Sequence, residues 1–278
     1  MVNSHRSISL LVLLALLSLV SCSSKEKDLR NKKANIHFGA GTQSLIAANY
    51  TEALTHLKKA DELDPQNPDI MVNLGMAYYF KDEKDLAINY LKRSLEIKPE
   101  ENSDARINLA SIYFRDGNYA EAEKLYKQVL KDLTYDKQAR TFYNLGMLEF
   151  EVKKNTVTAE SYFKKSIKED DNYCPAYFQL GILNYNRRQF KTALRNFKEA
   201  SMGMCNESAA AHYYQGLTLI ELRRFTDARL KFDEVDGRFK KSIYSSKART
   251  KLVEMNSLEL KTSEDTQVSK RLIDVSEF

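Results

Sequence analysis

Only four prolines occur in 278 residues, at positions 65, 68, 99 and 175, so most of the chain is free of a residue that breaks helices. Glycine is also scarce, with nine. The one clustered pair, "GAG" at 39–41, follows no strand pattern and makes no phosphate loop. Histidines number four and cysteines three. His5, His37, His56 and His212 lack the spacing of a HExxH site and the cysteines form no cluster, so the common zinc motifs are excluded. His37 and His212 instead read as half-buried packing residues. Long apolar runs are missing as well, since the stretch 10–20 is too short to cross a bilayer. Neither sign of charge dominates, with 43 Lys plus Arg against 38 Asp plus Glu and a net charge of +5. Such charges read as solvated helix faces, and nucleic acid is not an expected partner. No nucleophile and base are placed together by the pattern. The chain is therefore expected to be no enzyme, with no metal, no cofactor and no small-molecule substrate.

What the sequence does contain is a period. Ala53, Ala87, Ala122, Ala159, Ala193 and Ala228 recur at intervals of 34 to 37 residues, the spacing of a helix-turn-helix solenoid. A second series of small residues, Gly75, Ala110, Gly146, Gly181 and Gly216, runs twelve or thirteen places ahead of the alanine that follows each. Two helices approach closely only where one presents little side chain, and a bulky residue then fills the notch. Leu57, Leu91, Tyr126, Phe163, Phe197 and Phe232 lie four places after each alanine, on the same helical face. Leu74, Leu109, Leu145 and Leu180 directly precede the small residues of the first helices.

At these positions the chain resembles the tetratricopeptide-repeat (TPR) family, most fully in "NLGMAYYFKDEKDLAINYLKRSLEIKP" (73–99) and "NLASIYFRDGNYAEAEKLYKQVL" (108–130). The resemblance implies an all-α fold, a right-handed superhelical TPR solenoid. Six repeats are expected at 34–67, 68–102, 103–138, 139–173, 174–208 and 209–242. All four prolines then fall at junctions between helical pairs. Repeat one reads as irregular, with "FGAGTQ" in place of the Leu-Gly pair, and repeat four as carrying extra residues in its inner turn, 152–157. Tyr244, Ala248, Leu252 and Met255 recur as a capping helix requires, within 243–256. Residues 257–278 turn polar and lose periodicity, and read as a mobile tail.

The amino terminus has its own pattern. Residues 1–21 have the basic start and apolar core of a signal peptide, and end in Leu19-Val20-Ser21, before Cys22. This is similar to the bacterial lipobox, which implies cleavage before Cys22 and diacylglycerol on its sulfur, with stable anchoring from several acyl chains. Ser23, where an aspartate would imply retention at the inner membrane, implies release to the outer membrane; a periplasm-facing orientation is expected, although the sequence does not set it. Residues 22–33 read as the lipidated end and a polar tether. Export to an oxidising compartment leaves Cys174 and Cys205 as an even pair. They fall at the start of the first helix and after the second helix of repeat five, ends that lie side by side in a helical hairpin, and a disulfide is expected between them.

Function is then expected in a surface. In TPR folds the first helices line the concave face at repeat positions 2, 5, 9, 12 and 13. These positions hold Val72, Met76, Tyr79 and Phe80 in repeat two, Ile107 and Phe114 in three, Tyr143, Met147 and Phe150 in four, and Phe178, Ile182 and Tyr185 in five. An apolar, aromatic groove for a protein client is the expectation. Asn73, Asn108 and Asn144 repeat at position 6, where a carboxamide offers donor and acceptor to an extended peptide. The chaperone-binding carboxylate clamp is absent, with Arg115 alone matching. Arg187 and Arg188 in the turn of repeat five, with Arg223 and Arg224 in that of repeat six, read as solvated turns in preference to a basic edge. Lipobox and six repeats together resemble the pilotin family of type IV pilus biogenesis, which implies a secretin subunit as client and the membrane as address. An adaptor for outer-membrane protein insertion or for cell-wall enzymes shares the same features and stays open here.

Overall fold

The computed structural model describes residues 26–99 and 102–257, and every regular element among them is helical. The signal peptide at 1–21, Cys22, Ser23 and nearly all of the tail at 257–278 lie outside the described residues. Two compact units divide the chain, Met1–Asp136 and Lys137–Phe278. The first holds α1 (26–46), α2 (Tyr50–Leu63), α3 (Pro68–Phe80), α4 (Lys84–Ile97), α5 (Ser103–Arg115) and α6 (Tyr119–Val129). In the second lie α7 (Gln138–Met147), α8 (Thr156–Glu169), α9 (Cys174–Asn186), α10 (Phe190–Glu199), α11 (Ala209–Glu221), α12 (Phe225–Arg238) and α13 (243–257). Helices pair within repeats, α3 with α4 and α9 with α10 for example, and successive pairs meet through α2–α3, α4–α5, α8–α9 and α10–α11.

The small-residue ladders are the contact points of this stacking. All six alanines are fully buried. A Cβ added at Gly75 would lie 2.9 Å from Leu91, at Gly146 2.6 Å from Phe163, at Gly181 2.5 Å from Phe197 and at Gly216 2.6 Å from Phe232. Each bulky side chain thus rests directly on the backbone of its partner helix. Repeat one follows the same rule, contrary to the expectation of an irregular pair: Gly41, twelve residues before Ala53, would place a Cβ 2.6 Å from Leu57. Only the leucine ahead of it is replaced, by Ala40. A third ladder completes each second helix. Ala60, Ser94, Val129, Ser166, Ala200 and Val235 follow the alanines by seven residues, two turns along one face, and all are buried. Ser94 donates to the Pro68 carbonyl and Ser166 to the Ala139 carbonyl, both at 2.7 Å, closing each second helix onto the start of its first.

Turn chemistry repeats with the same period. A residue of positive φ stands five places before every ladder alanine: Ala48, Asp82, Gly117, Lys154, Arg188 and Arg223. Only one is glycine, and a left-handed L-residue costs roughly 1–2 kcal/mol, so the packing on either side holds the other five in place. The long interval at repeat four is accounted for differently than expected. From Gly146 to Ala159 is thirteen residues against twelve elsewhere, and the single extra residue is absorbed in a π-helical turn, Leu148–Val152, that ends α7. A second extra residue falls between Ala110 and Gly146.

Side chains cap the starts of α3, α5, α8 and α11, whereas Asn49 and Asn118 at the starts of α2 and α6 make no capping bond. Asn67 accepts from the amides of Asp69 and Ile70, Asn102 from Ala105, Asn155 from Thr158 and Ser208 from Ala211. At the other end, α13 covers the last hydrophobic face: Ala248 and Met255 are buried with Phe232 and Val235, and the Tyr244 and Tyr213 rings lie 5.4 Å apart. One boundary differs from the sequence expectation. Residues 26–33, read as tether, are already helical, because their Lys, Glu and Leu side chains favour helix and the same helix runs on to bury Ala34.

His212 packs in this second unit, 6% exposed. Its Nε2 donates to the Asn206 carbonyl at 3.0 Å, and Nδ1 faces Glu234 at 3.4 Å. Burial holds the imidazole below its ordinary value, outweighing the Asn206 carbonyl and the Glu234 carboxylate, which favour the cation. The unfolded chain therefore binds a proton more readily than the folded one. Stability is full above the unfolded value, about 6.5, and declines as pH falls through the folded value. Urea midpoints at pH 7.5 and 5.5 should fall more for the native chain than for His212→Gln.

Candidate protein-binding surface

Burial sorts the expected groove residues by position within the repeat. Position 9 (Met76, Met147, Ile182) and position 12 (Tyr79, Phe114, Phe150, Tyr185) are half-buried in every repeat from two to five that holds them. Position 5 behaves differently. Ile107 is fully buried and Val72 is 6% exposed, so both belong to the core and correct the expectation that they line a groove. Tyr143 and Phe178, at the same position, remain half-buried. Position 5 is therefore core in repeats two and three and part of the surface in repeats four and five.

In the first unit the exposed aromatic cluster is built by α2, α3 and α5. Phe80, 47% exposed, stacks on Tyr50 with ring centroids 4.8 Å apart and meets Tyr79 edge-on at 5.6 Å. The Arg115 guanidinium lies 5.7 Å from the Tyr79 ring, a cation–π contact that occupies the one residue matching a carboxylate clamp. Lys84 and Asp116 close the edge with an ion pair at 3.1 Å. Phe114 packs against Tyr119 at 5.5 Å.

In the second unit α7, α9 and α11 contribute. Tyr143 contacts Phe163 and Tyr173 at 5.8 and 5.6 Å, and Met147 and Phe150 lean on the same core of Ala159, Phe163 and Leu180. Burial raises the Tyr143 and Tyr173 hydroxyls, the latter to about 12, so both stay neutral donors. Phe178 sits between Phe197 at 5.6 Å and Tyr214 at 5.5 Å. The Tyr185 hydroxyl reaches the Glu221 carboxylate at 3.5 Å, and Ile182 completes the row between Phe178 and Tyr185.

The asparagine series is engaged within the chain. Asn73 donates to the Thr42 hydroxyl at 2.8 Å, tying α3 to α1. Asn108 is buried, 7% exposed, which removes it from any client surface, and Asn144 is half-buried. The arginine edge is likewise divided. Arg187 pairs with Glu160 and Arg224 with Asp227 at 2.6 Å, while Arg188 and Arg223 are the left-handed residues of their turns.

Cys174 and Cys205 are joined by a disulfide, their Cα atoms 5.9 Å apart. It pins the loop after α10 to the start of α9, beside an apolar cleft of about 370 Å³ whose lining includes Tyr143, Pro175, Phe178 and Met204. Met204 is 87% exposed and Met202 57%. Sequence reasoning missed both, although two methionines flanking Gly203 in a segment without helical periodicity were a readable signal. The bridge closes a loop of 31 residues, so Cys174→Ser should lower stability by about 3–4 kcal/mol, read as a fall in urea midpoint under oxidising conditions that vanishes in reductant.

Among the described residues no group of three or more potential metal ligands occurs, and no helix is long and apolar enough to cross a membrane. The surface chemistry is that of shape and apolar contact, with tyrosine hydroxyls supplying polar tips.

Comparison with known proteins matches tetratricopeptide-repeat profiles at residues 85–143, 68–101 and 178–242, and a TPR-repeat profile at 49–82. Type IV pilus assembly protein PilF of Pseudomonas aeruginosa is 26% identical over 176 residues, covering 63% of this chain and 68% of that protein. The solved structure of Pseudomonas aeruginosa pilF aligns with a TM-score of 0.65 at 20% identity, over 80% of this chain and 99% of the other. That of PilW, described as a widely conserved type IV pilus biogenesis factor, aligns at 0.64 and 20% identity, over 78% and 98%. These structural likenesses establish a shared solenoid fold.

Proposed function

Because the chain is a tetratricopeptide-repeat protein related to type IV pilus biogenesis factors, we propose that it is a pilotin-like, non-enzymatic adaptor. It holds a segment of a secretin subunit on the first-helix face and is anchored in the outer membrane through lipidated Cys22. The observation that carries this reading is the sequence relation to PilF, which extends over 176 residues and so exceeds any single repeat. Support for the binding face comes, within each unit taken by itself, from half-buried apolar residues: Met76, Tyr79 and Phe114 in the first, Met147, Phe150, Ile182 and Tyr185 in the second. An amphipathic or extended client segment can lay its apolar side chains against such residues. The lipobox-like end at Cys22 and the Cys174–Cys205 bridge both suit export.

Affinity purification from detergent-solubilised envelopes is the test. Recovery of secretin subunits, together with loss of secretin multimers when the gene is deleted, is the expected result. Recovery of cell-wall hydrolases or the protein-insertion machinery without secretin overturns the pilotin reading. Replacing Cys22 by Ala should move the protein from the membrane to the soluble fraction, and a variant still fractionating with the outer membrane contradicts the lipid anchor.

A further inference from the structure

Two of the four histidines face each other. His37 on α1 and His56 on α2 are both half-buried, nineteen residues apart in sequence, with their Nδ1 atoms 3.3 Å from one another and ring centroids 5.6 Å apart. The contact sits beside the Gly41–Leu57 notch, with His37 one turn before Gly41 and His56 next to Leu57. Two bare ring nitrogens at this distance repel, so either one carries a proton and donates it to the other, or a cation lies between them.

Tetrahedral geometry sets a third number beside these two. A zinc ion bound to imidazole nitrogens at about 2.0–2.1 Å separates two ligating nitrogens by about 3.3–3.4 Å when the angle between them is tetrahedral. The observed separation of 3.3 Å matches that of two nitrogens on one ion, as it also matches a direct hydrogen bond between the rings. Both ligands project from helices whose backbones are fixed by buried Ala34, Ala53, Leu57 and Ala60, which is the rigidity a metal site requires.

We propose that His37 and His56 form a two-histidine site for a divalent transition metal suited to imidazole, with Zn²⁺ as the reference ion. Water or a side chain from a bound partner fills the remaining positions, since the described residues supply no third ligand. The ion bridges the helices of the first hairpin and stabilises the first repeat of the solenoid. Its site is separate from the apolar row, so its failure would leave the adaptor reading untouched.

Thermal unfolding of the metal-stripped full chain with added Zn²⁺ alone tests the site. Binding to the folded state at tenfold over the dissociation constant should raise the midpoint by roughly 3–6 °C. The rise should disappear in His37→Gln and in His56→Gln and persist in His212→Gln. No rise, or one that survives either of the first two substitutions, overturns the proposal. Should a variant fail to fold, the native chain decides alone: Zn²⁺ should shift the side-chain ¹⁵N resonances of Nδ1 in His37 and His56 together, and unchanged resonances refute the site.

Discussion

Phe197→Ala is expected to lower the stability of the second unit by about 3–5 kcal/mol, the cost of emptying a fully enclosed aromatic site. The ring is completely buried and rests on Gly181, so closely that an added Cβ there would lie 2.5 Å from it. Phe178 and Tyr214 enclose its other sides at 5.6 and 5.4 Å. Rigid helix backbone lies on one side and aromatic rings on the others, and neither can collapse into the space. Gly181→Ala should destabilise by overpacking, about 1–3 kcal/mol. Combining it with Phe197→Leu should recover part of that loss, because leucine lacks the ring atoms Cε1 and Cζ that an added Cβ at Gly181 would meet at 2.5 and 2.9 Å. Urea unfolding followed by circular dichroism reads these three and the Phe197→Leu single variant that completes the cycle. Additive losses in the double variant would mean that the two residues do not form one contact.

The second large effect concerns binding. Met76→Glu with Ile182→Glu places a carboxylate at position 9 in each unit, within a half-buried apolar row. A client that buries these positions must desolvate an unpaired charge, and affinity should fall by about 30–1,000-fold, the range of a lost 2–4 kcal/mol anchor. Both sites retain solvent access in the free protein, so helicity and the thermal midpoint should change little. Titration of the double variant against purified client measures the loss. Unchanged affinity with intact folding would move the binding site off the first-helix face.

Fold was legible because it is repeated. Six fully buried alanines and the residues four places after them could be read from spacing alone, since a solenoid must present the same contact in every repeat. Gly41 escaped notice because Ala40 stands before it, where leucine precedes the small residue in repeats two to five, and because it sits within the run "FGAGTQ". The ladder from Ala60 to Val235 was hidden by variation among Ala, Ser and Val, three residues that satisfy one steric limit. Left-handed residues such as Lys154 and Arg188 gave no sign, because glycine is the residue that advertises such a conformation. The binding surface was read less completely. Position 5 and position 9 are chemically alike in sequence, so nothing in their spacing separated buried Ile107 from half-buried Ile182.

The central claim is that the first-helix face holds a secretin subunit. A photo-crosslinking amino acid at Ile182, activated in intact cell envelopes, tests it directly, with the same group at Leu230 on α12, 64% exposed, as the opposing control. A crosslinked secretin subunit from position 182 and none from position 230 is the predicted result. Secretin captured from 230 but not 182, or other envelope proteins captured at 182 without secretin, would contradict it.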